Sequence, residues 1–292
     1  MLEDNLVVRL AENAMEVAFA WMVSWVSVVL KMLCVSAGTE RRVLYFVQYG
    51  WKRPWQWVVA QLLTALIDPR RVPSHVAVVM DGNRRFAHSI GLQSVKEGHE
   101  EGARKLKEFV DWCLRFEAIR EVTVWALSTD NLTGRSPREI QDLWDLCEEH
   151  LPQFSARNQA SLKDRGVSVR VIGERQLLPD RIRDIVLDLE ARTQLSSPRL
   201  VLNVALPYGG RQEIVAAAKA GGPDGISANV YTLSDPDLII RSGGECRLSG
   251  FMLWQSAHAE LYFSSRLWPC FMLSHFLTAL YTFQQRQRRF GR

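Results

Sequence analysis

The chain has few cysteines and none of the common nucleotide-binding loops. Its five cysteines are scattered over 292 residues and form no C-x-x-C pair. Neither a disulfide framework nor a zinc site is therefore predicted, and reduced thiols in a cytosol-facing protein are expected. No G-x-x-x-x-G-K-[ST] and no G-x-G-x-x-G sequence occurs. Nucleotide hydrolysis and dinucleotide redox chemistry lose their main sequence support.

The chain also has little net charge. Its 36 Lys and Arg residues exceed its 32 Asp and Glu residues by only four. This excess favours an anionic ligand or a membrane surface but is too weak to indicate nucleic acid, so no nucleic-acid partner is expected. The apolar fraction of 47% is sufficient for a substantial core, in one large domain or two small ones.

Residues 1–72 are predicted to form an apolar, membrane-associating helical region. Residues 17–30 carry no charge, and the apolar run continues beyond Lys31. Tryptophans lie beside basic residues in this region, which is typical of a membrane interface. Two core-packing helices are the alternative, and the choice between spanning the bilayer and lying on it stays open. The prolines of Asp68–Pro73 break any helix and place the next domain boundary there.

Strands and helical segments alternate from residue 73 to residue 292. Six apolar, β-branched runs predict strands: Val76–Met80, Glu121–Leu127, Val167–Ile172, Leu200–Leu206, Leu238–Ile240 and Leu261–Phe263. One intervening helix opens with a capping-box sequence from Ser136 to Glu139 and is predicted to continue past Pro152. We therefore predict an α/β fold. A single domain, with a central, mostly parallel six-stranded sheet flanked by helices, follows an apolar N-terminal helical segment.

A cluster of polar residues follows the first predicted strand directly, reading Asp81, Gly82, Asn83, Arg84 and Arg85. In open α/β sheets, ligands bind beyond the carboxyl ends of the strands. A glycine permits close approach of the backbone to an anion, and paired arginines suit phosphate oxygens. A carboxylate beside that anion suits Mg²⁺. The alternative is a plain turn with surface arginines.

Other strand ends carry similar side chains. The predicted second, fourth and fifth strands are followed by Ser128 and Asn131, by Arg211, and by Arg241, Glu245, Arg247 and Ser249, respectively. The carboxyl ends of parallel strands meet at one edge of a sheet. Several arginines with candidate metal carboxylates at that edge predict a site for phosphorylated ligands.

These motifs resemble those of the cis-prenyltransferases, the family of undecaprenyl and dehydrodolichyl diphosphate synthases. The shared motifs are H-V-A-V-V-M-D-G-N-R-R from His75, E-G-H from Glu97, Y-G-G-R from Tyr208, R-S-G-G-E-C-R-L-S from Arg241 and A-E-L-Y-F from Ala259. They occur in the family's order and extend from Pro73 to the C terminus. The preceding N-terminal region lies outside the resemblance.

The resemblance implies condensation of isopentenyl diphosphate with an allylic diphosphate such as farnesyl diphosphate. The implied cofactor is Mg²⁺, and the implied product is a long-chain, dolichol-type cis-polyprenyl diphosphate. Metal ligation is implied for Asp81 and Glu260, and catalytic roles for Asp81, Asn83, Ser128 and Asn131. The implied substrate-binding residues are Gly82, Arg84, Arg85, His99, Arg241, Arg247, Ser249, Arg289 and Gly291.

Several of these residues have structural alternatives. Glu260 has the pattern of a strand-edge carboxylate, and His99 that of a solvated residue near a helix start. Arg241 and Arg247 have acidic neighbours with which they would form surface salt bridges.

The sequence also departs from the family pattern. Val95 stands where an arginine usually precedes the Gly-His histidine. An extra residue, Gly134, displaces Arg135 by one place. These departures bear on affinity for the allylic substrate more than on the type of reaction.

The resemblance also predicts a homodimer. In this family, an R-x-G pattern, here Arg289 to Gly291, reaches the isopentenyl diphosphate site of the partner subunit. A basic tail on lipid headgroups is the alternative. Two further functions stay open: a non-catalytic accessory subunit of a heteromeric enzyme, and a short-chain synthase. The lack of a D-D-x-x-D pair disfavours trans-type prenyltransferases. The expected location is the endoplasmic reticulum membrane, with the catalytic domain facing the cytosol.

Overall fold

The computed structural model describes residues 60–154, apart from Leu62, and residues 162–287. The predicted apolar run at residues 17–30 and the R-x-G pattern at Arg289 to Gly291 lie outside the described residues. Within the described part of the chain, no helix combines the length and apolarity needed to cross a bilayer.

Among the described residues, six strands form one sheet, as predicted. They are β1 (His75–Val79), β2 (Glu121–Trp125), β3 (Val167–Ile172), β4 (Leu200–Ala205), β5 (Leu238–Arg241) and β6 (Glu260–Phe263). The order across the sheet is β3-β4-β2-β1-β5-β6. Every pairing is parallel, so the sheet is more regular than the mostly parallel arrangement predicted from the sequence.

Helices connect and cover the strands. They are α1 (Asn83–Ser89), α2 (Val95–Cys113), α3 (Thr129–Gly134), α4 (Pro137–His150), α5 (Asp180–Thr193), α6 (Gly210–Gly221), α7 (Ile226–Asn229) and α8 (Leu273–Gln284). Strands joined by helices in this way require crossover connections, which cover both faces of a parallel sheet. The predicted α/β class is confirmed.

Alternate residues of β1 enter two separate apolar clusters. Val76 and Val78 belong to the larger one, which includes side chains of α2, α4, α5 and α8. Ala77 and Val79 belong to the smaller one, on the opposite face. This alternation explains the unbroken apolar run in the sequence, because a strand buried on both faces has no polar side.

Residues before the predicted boundary at residue 73 also pack on this domain. Ala60, Leu63 and Ile67 are buried in the larger cluster. Gln284, at the end of α8, accepts a hydrogen bond from the Asp68 amide at 3.2 Å and donates one to the Asp68 carbonyl at 2.6 Å. The boundary itself stays a prediction.

The helix predicted to pass Pro152 ends earlier. α4 stops at His150, and a short 3-10 turn covers Pro152–Phe154. Proline lacks the amide proton that an α-helix needs and clashes with the preceding turn, so Pro152 ends the helix. At the other end, the serine half of the predicted capping box is present: Ser136 Oγ accepts a hydrogen bond from the Glu139 amide at 3.3 Å. The Glu139 carboxylate pairs with Arg135 instead.

Candidate active site

Asp81 lies directly beyond the carboxyl end of β1 and accepts hydrogen bonds from two arginines. Its Oδ1 is 3.1 Å from Arg85 Nη2, and its Oδ2 is 2.9 Å from Arg241 Nη2. The register explains the second contact, because Val79 pairs with Arg241 on the neighbouring strand. The Arg241 side chain is only 7% exposed, whereas Asp81 is 30% exposed. The structure therefore brings together distant residues that the sequence places at one edge.

The backbone around Asp81 is held by Ser242. The Asp81 amide donates to Ser242 Oγ at 3.0 Å, and the Ser242 hydroxyl donates to the Asp81 carbonyl at 2.9 Å. The next residue, Gly82, has a φ of +109° and forms the N-cap of α1. This left-handed conformation favours glycine, and it turns the chain from β1 into α1 within one residue. The turn directs the residues after Gly82 along one side of the site.

A pocket of about 350 Å³ lies beside Asp81. It is lined by Met80, Asp81, Gly82, Asn83, Arg84, Arg85, His88, His99 and Arg135. Three guanidinium groups face one carboxylate in this set, so the pocket carries an excess of positive charge. Its volume is within the range of small-molecule sites. Charge and size together suit a polyanion such as a diphosphate.

Glu139 holds two of these arginines together. Its Oε1 is 3.2 Å from Arg135 Nη1 and 3.5 Å from Arg84 Nε. Sequence reasoning treats Glu139 as a helix-cap residue and Arg135 as displaced by Gly134. In the structure, Gly134 is the last residue of α3, and the next residue still lines the pocket. The signal that could have identified both residues is the spacing of four between an arginine and a glutamate.

His99 lies near the start of α2 and lines the pocket. Its Nε2 atom is buried and has no hydrogen-bond partner among the described residues. Burial lowers the pKa of His99 to about 4, with the positive charges of Arg135 and Arg84 adding to the effect. The imidazole is therefore neutral near pH 7. An unpartnered buried nitrogen beside two arginines differs from the solvated position that was the structural alternative.

Arg241 also contacts the turn that follows β5. Its Nη1 donates to Ser249 Oγ at 2.8 Å and to the carbonyl of Arg247. The Arg247 side chain itself is 62% exposed and pairs with Glu245. Glu245 in turn lies 4.0 Å from Arg85 Nη1. A continuous series of charged and polar contacts thus links Arg247 to Asp81.

Ser128 and Asn131 lie beyond the carboxyl end of β2 but do not line the pocket beside Asp81. The Ser128 hydroxyl oxygen caps α3 by accepting a hydrogen bond from the Asn131 amide at 3.0 Å. Asn83, at the start of α1, does line the pocket, and its Oδ1 is buried without a partner among the described residues. The catalytic roles of these three residues stay predictions.

Within a single chain, the structure does not bring Glu260 to Asp81. Glu260 begins β6 and pairs with Leu238, which pairs with Val76 near the amino end of β1. Asp81 follows the opposite end of that strand, roughly 16 Å further along. The Glu260 carboxylate lies 3.7 Å from Arg286 instead. The register therefore places these two carboxylates of one chain at opposite ends of the strands, and the metal-ligand role of Glu260 stays a prediction.

The described residues contain no group of three or more His, Cys, Asp or Glu side chains that could hold a metal ion. Mg²⁺ is commonly bound by only one or two carboxylates together with substrate phosphates. The partly exposed carboxylate of Asp81, next to a cationic pocket, fits that mode of binding. The donor set is therefore compatible with Mg²⁺ held jointly by Asp81 and a diphosphate.

The fold and the site define an α/β protein with a polyanion pocket at the carboxyl ends of its parallel strands. Residues 79–291 match the prenyltransferase family of undecaprenyl diphosphate synthases. The chain belongs to this cis-prenyltransferase family, as the motifs predict, and is a prenyltransferase.

Individual relatives support this assignment. The chain is 41% identical to a tritrans,polycis-undecaprenyl-diphosphate synthase (geranylgeranyl-diphosphate specific) of Methanopyrus kandleri, over 88% of this chain and 99% of the relative. It is also 41% identical to a (2Z,6E)-farnesyl diphosphate synthase of Thermobifida fusca, over 75% of this chain and 90% of the relative. A crystal structure of lavandulyl diphosphate synthase from Lavandula x intermedia in complex with dimethylallyl diphosphate is similar, with a TM-score of 0.69 and 32% identity. That alignment covers 76% of this chain and all of the other.

Proposed function

We propose that this enzyme condenses isopentenyl diphosphate with an allylic diphosphate in the presence of Mg²⁺. The observation that carries the proposal is the position of Asp81, which lies between Arg85 and Arg241 at the edge of a cationic pocket. Asp81 separates a group of arginines in the pocket from a second group around the β5 turn. Two diphosphates on either side of one carboxylate would bring their isoprenoid carbons close together.

The residues in the pocket are proposed to bind the allylic diphosphate. Arg84, Arg85 and Arg135 supply guanidinium groups, and His99 Nε2 supplies a further polar contact. Backbone and side chain of Asn83 lie beside them. When bound, Mg²⁺ would neutralise charge that develops on the departing diphosphate. Asp81 would hold the ion, and the arginines would stabilise the same charge through hydrogen bonds.

The turn after β5 is proposed to bind isopentenyl diphosphate. Arg241 and Ser249 are already joined by a hydrogen bond. The exposed Arg247 side chain forms an ion pair with Glu245, and it is proposed to replace this pair with one to a substrate phosphate. Ser128 and Asn131 are proposed to border the reacting carbons. A non-catalytic accessory subunit is a weaker proposal, because this chain retains the carboxylate and the clustered arginines on which catalysis would depend.

The product is proposed to be a long-chain, dolichol-type polyprenyl diphosphate, on the strength of the family resemblance. A short-chain product is the second candidate, and one observation favours it. Apolar side chains of α2 and α4 that would line a product tunnel are buried in the main core: Leu106, Phe109, Leu143, Trp144 and Leu146. Close packing there leaves less room for a growing chain.

One experiment tests the reaction and separates the two product classes. Purified protein is incubated with radiolabelled isopentenyl diphosphate, farnesyl diphosphate and Mg²⁺, and the products are separated by chain length. We expect label in allylic products, and no product when Mg²⁺ is chelated. A ladder ending at long chains supports the dolichol-type proposal, and a single addition supports the short-chain one. The absence of any labelled product would contradict both.

We propose that a homodimer completes the site. Glu260 cannot reach Asp81 of its own chain, but it lies on the edge strand β6, where the neighbouring Leu261 is 43% exposed. When a second copy packs on that edge, Glu260 of one chain is proposed to act as a metal ligand in the site of the other. The R-x-G tail is proposed to reach across to the other chain in the same way. Membrane attachment at the endoplasmic reticulum is likewise a proposal, resting on the apolar N-terminal sequence.

Deleting Arg289 to Arg292 is expected to raise the KM for isopentenyl diphosphate about tenfold, with little change in the KM for the allylic substrate. Loss of one charge-assisted contact to phosphate accounts for this magnitude. Steady-state kinetics with each substrate varied in turn measures it. An unchanged KM together with weaker binding to anionic vesicles would instead support the lipid-tail alternative.

The pKa of His99 predicts a pH-dependent stability. The folded protein holds this pKa near 4, below the ordinary value of 6.5. The unfolded chain therefore binds more protons between these pH values, and folding is penalised as the pH falls through this window. From pH 7 to pH 5, the wild type is expected to lose about 2 kcal/mol more stability than a His99→Gln variant. Urea unfolding at both pH values measures this difference, and parallel losses in the two proteins would contradict it.

A further inference from the structure

The turn after β5 contains two residues in an unfavourable backbone conformation. Ser249 has a φ of 53° and Met252 a φ of 45°, and neither is glycine. L-residues in this left-handed region cost free energy and persist where the surrounding structure fixes them. Phe251 and Met252 are fully buried, so the turn is packed against the domain. Contacts that hold this turn in place therefore also hold Ser249, which accepts a hydrogen bond from Arg241.

The turn determines the position of Arg241 through two acceptors. The same guanidinium nitrogen, Nη1, donates to Ser249 Oγ and to the Arg247 carbonyl. The other nitrogen, Nη2, donates to Asp81. A shift of the turn would therefore rotate the guanidinium that connects the turn with Asp81.

One buried carboxylate lies behind this turn. Glu213, in the first turn of α6, is 1% exposed and accepts hydrogen bonds from three neutral donors. Its Oε2 accepts from the Tyr208 hydroxyl, and its Oε1 accepts from Gln255 Nε2 at 2.9 Å and from the Tyr231 amide at 2.7 Å. Burying a carboxylate is costly unless such donors compensate it. Three donors converging on two oxygens make this position specific for a carboxylate.

Two of these donors flank the turn. The Tyr208 ring packs edge-to-face on Phe251 with centroids 6.0 Å apart, and Gln255 lies three residues after the turn. The start of α6 also contacts the turn, because the Gly210 amide donates to the Gly250 carbonyl at 2.8 Å. A Cβ atom at residue 210 would lie 2.6 Å from that carbonyl oxygen, so only glycine permits the approach. Through its hydrogen bonds with Tyr208 and Gln255, Glu213 thus connects the residues on either side of the turn to α6.

We propose that Glu213 is a positioning residue that holds the Ser249–Met252 turn, and through it Arg241, in the arrangement that binds isopentenyl diphosphate. This inference rests on the proposed function of the β5 turn. Glu213 touches neither Asp81 nor the pocket, so its effect is confined to the side of the site that Arg241 and Ser249 occupy. The residues around the allylic pocket lie elsewhere: Arg84 is in α1, His99 is in α2, and Arg135 lies between α3 and α4.

Glu213→Gln is the direct test, because it keeps the side-chain volume but replaces one acceptor oxygen with a donor amide. We expect the KM for isopentenyl diphosphate to rise at least tenfold, with kcat changed less than threefold and the allylic KM unchanged. Tyr208→Phe, which removes one donor and keeps the ring, should raise the same KM about threefold and serves if Glu213→Gln does not fold. Glu174→Gln is the matched control: it makes the same substitution at another carboxylate, which accepts a hydrogen bond from the Tyr231 hydroxyl at 3.2 Å, and it does not touch the turn. Its kinetics should equal those of the wild type.

Two results would overturn the inference. One is an unchanged KM for isopentenyl diphosphate in both variants. The other is a lower kcat with both KM values unchanged, as expected for a merely structural role that reduces the active fraction. A crystal structure of Glu213→Gln provides a readout that does not depend on turnover. We expect Ser249 Oγ to lie beyond hydrogen-bond distance of Arg241, and an unmoved turn would refute the inference. If the wild type makes no product, the proposed function fails, whereas an active wild type with unaffected variants refutes only the role of Glu213.

Discussion

Asp81→Ala is expected to lower kcat by about 10³-fold while the protein stays folded. The carboxylate is the group proposed to hold Mg²⁺ against the departing diphosphate, and loss of one charge-stabilising group in a preorganised site has an effect of this order. The side chain is partly exposed and lies at the sheet edge, outside both apolar clusters. Removing it should therefore affect chemistry far more than packing.

Steady-state turnover with saturating substrates and Mg²⁺ measures this effect. Asp184→Ala is a matched control, since Asp184 is an exposed aspartate on α5, remote from the pocket. Its turnover should equal that of the wild type, and both variants should unfold within a few degrees of it. If Asp81→Ala retained a tenth or more of the wild-type kcat, Asp81 would not be the metal ligand.

Arg135→Ala is expected to raise the KM for the allylic diphosphate by about 30- to 100-fold. Hydrogen bonds to charged groups contribute about 1.5–3 kcal/mol, and this guanidinium, only 19% exposed, faces the pocket. Its loss would also leave Glu139 with one ion-pair partner, Arg84, instead of two. The KM for isopentenyl diphosphate should change little, because Arg135 does not contact the β5 turn.

Arg138→Ala provides the comparison for this variant. Arg138 lies three positions further along the chain, is exposed, and does not line the pocket. Both variants remove one positive charge from the same region, so a long-range electrostatic effect would act on them alike. Equal KM values for the allylic substrate in the two variants would contradict a direct role of Arg135.

The central features of the fold could be predicted from the sequence because they depend on local patterns. The apolar run before Asp81 is a strand buried on both faces, and its abrupt end marks the carboxyl edge of the sheet. Six such runs separated by helical segments give a parallel sheet through the connection rules alone. Convergence of Asp81 with Arg241 follows from the same logic, since both come at the end of neighbouring strands.

The rest of the site depends on tertiary packing that local patterns do not encode. Glu139 follows a good N-cap serine, which explains its presence without reference to Arg84 and Arg135. Glu260 belongs to a family motif, but its place at the amino end of β6 follows from strand register. Glu213 shows no sequence signal beyond an acidic residue in a first helical turn, because its three donors come from separate segments.

A crystal structure with Mg²⁺, isopentenyl diphosphate and an unreactive thio analogue of farnesyl diphosphate tests the central claim most directly. We predict that the ion is bound by Asp81 and by oxygens of the analogue's diphosphate, which Arg84, Arg85 and Arg135 also contact. The second diphosphate should lie against Arg241 and Ser249. A diphosphate bound elsewhere, or an Asp81 carboxylate that contacts neither the ion nor a substrate, would contradict the account.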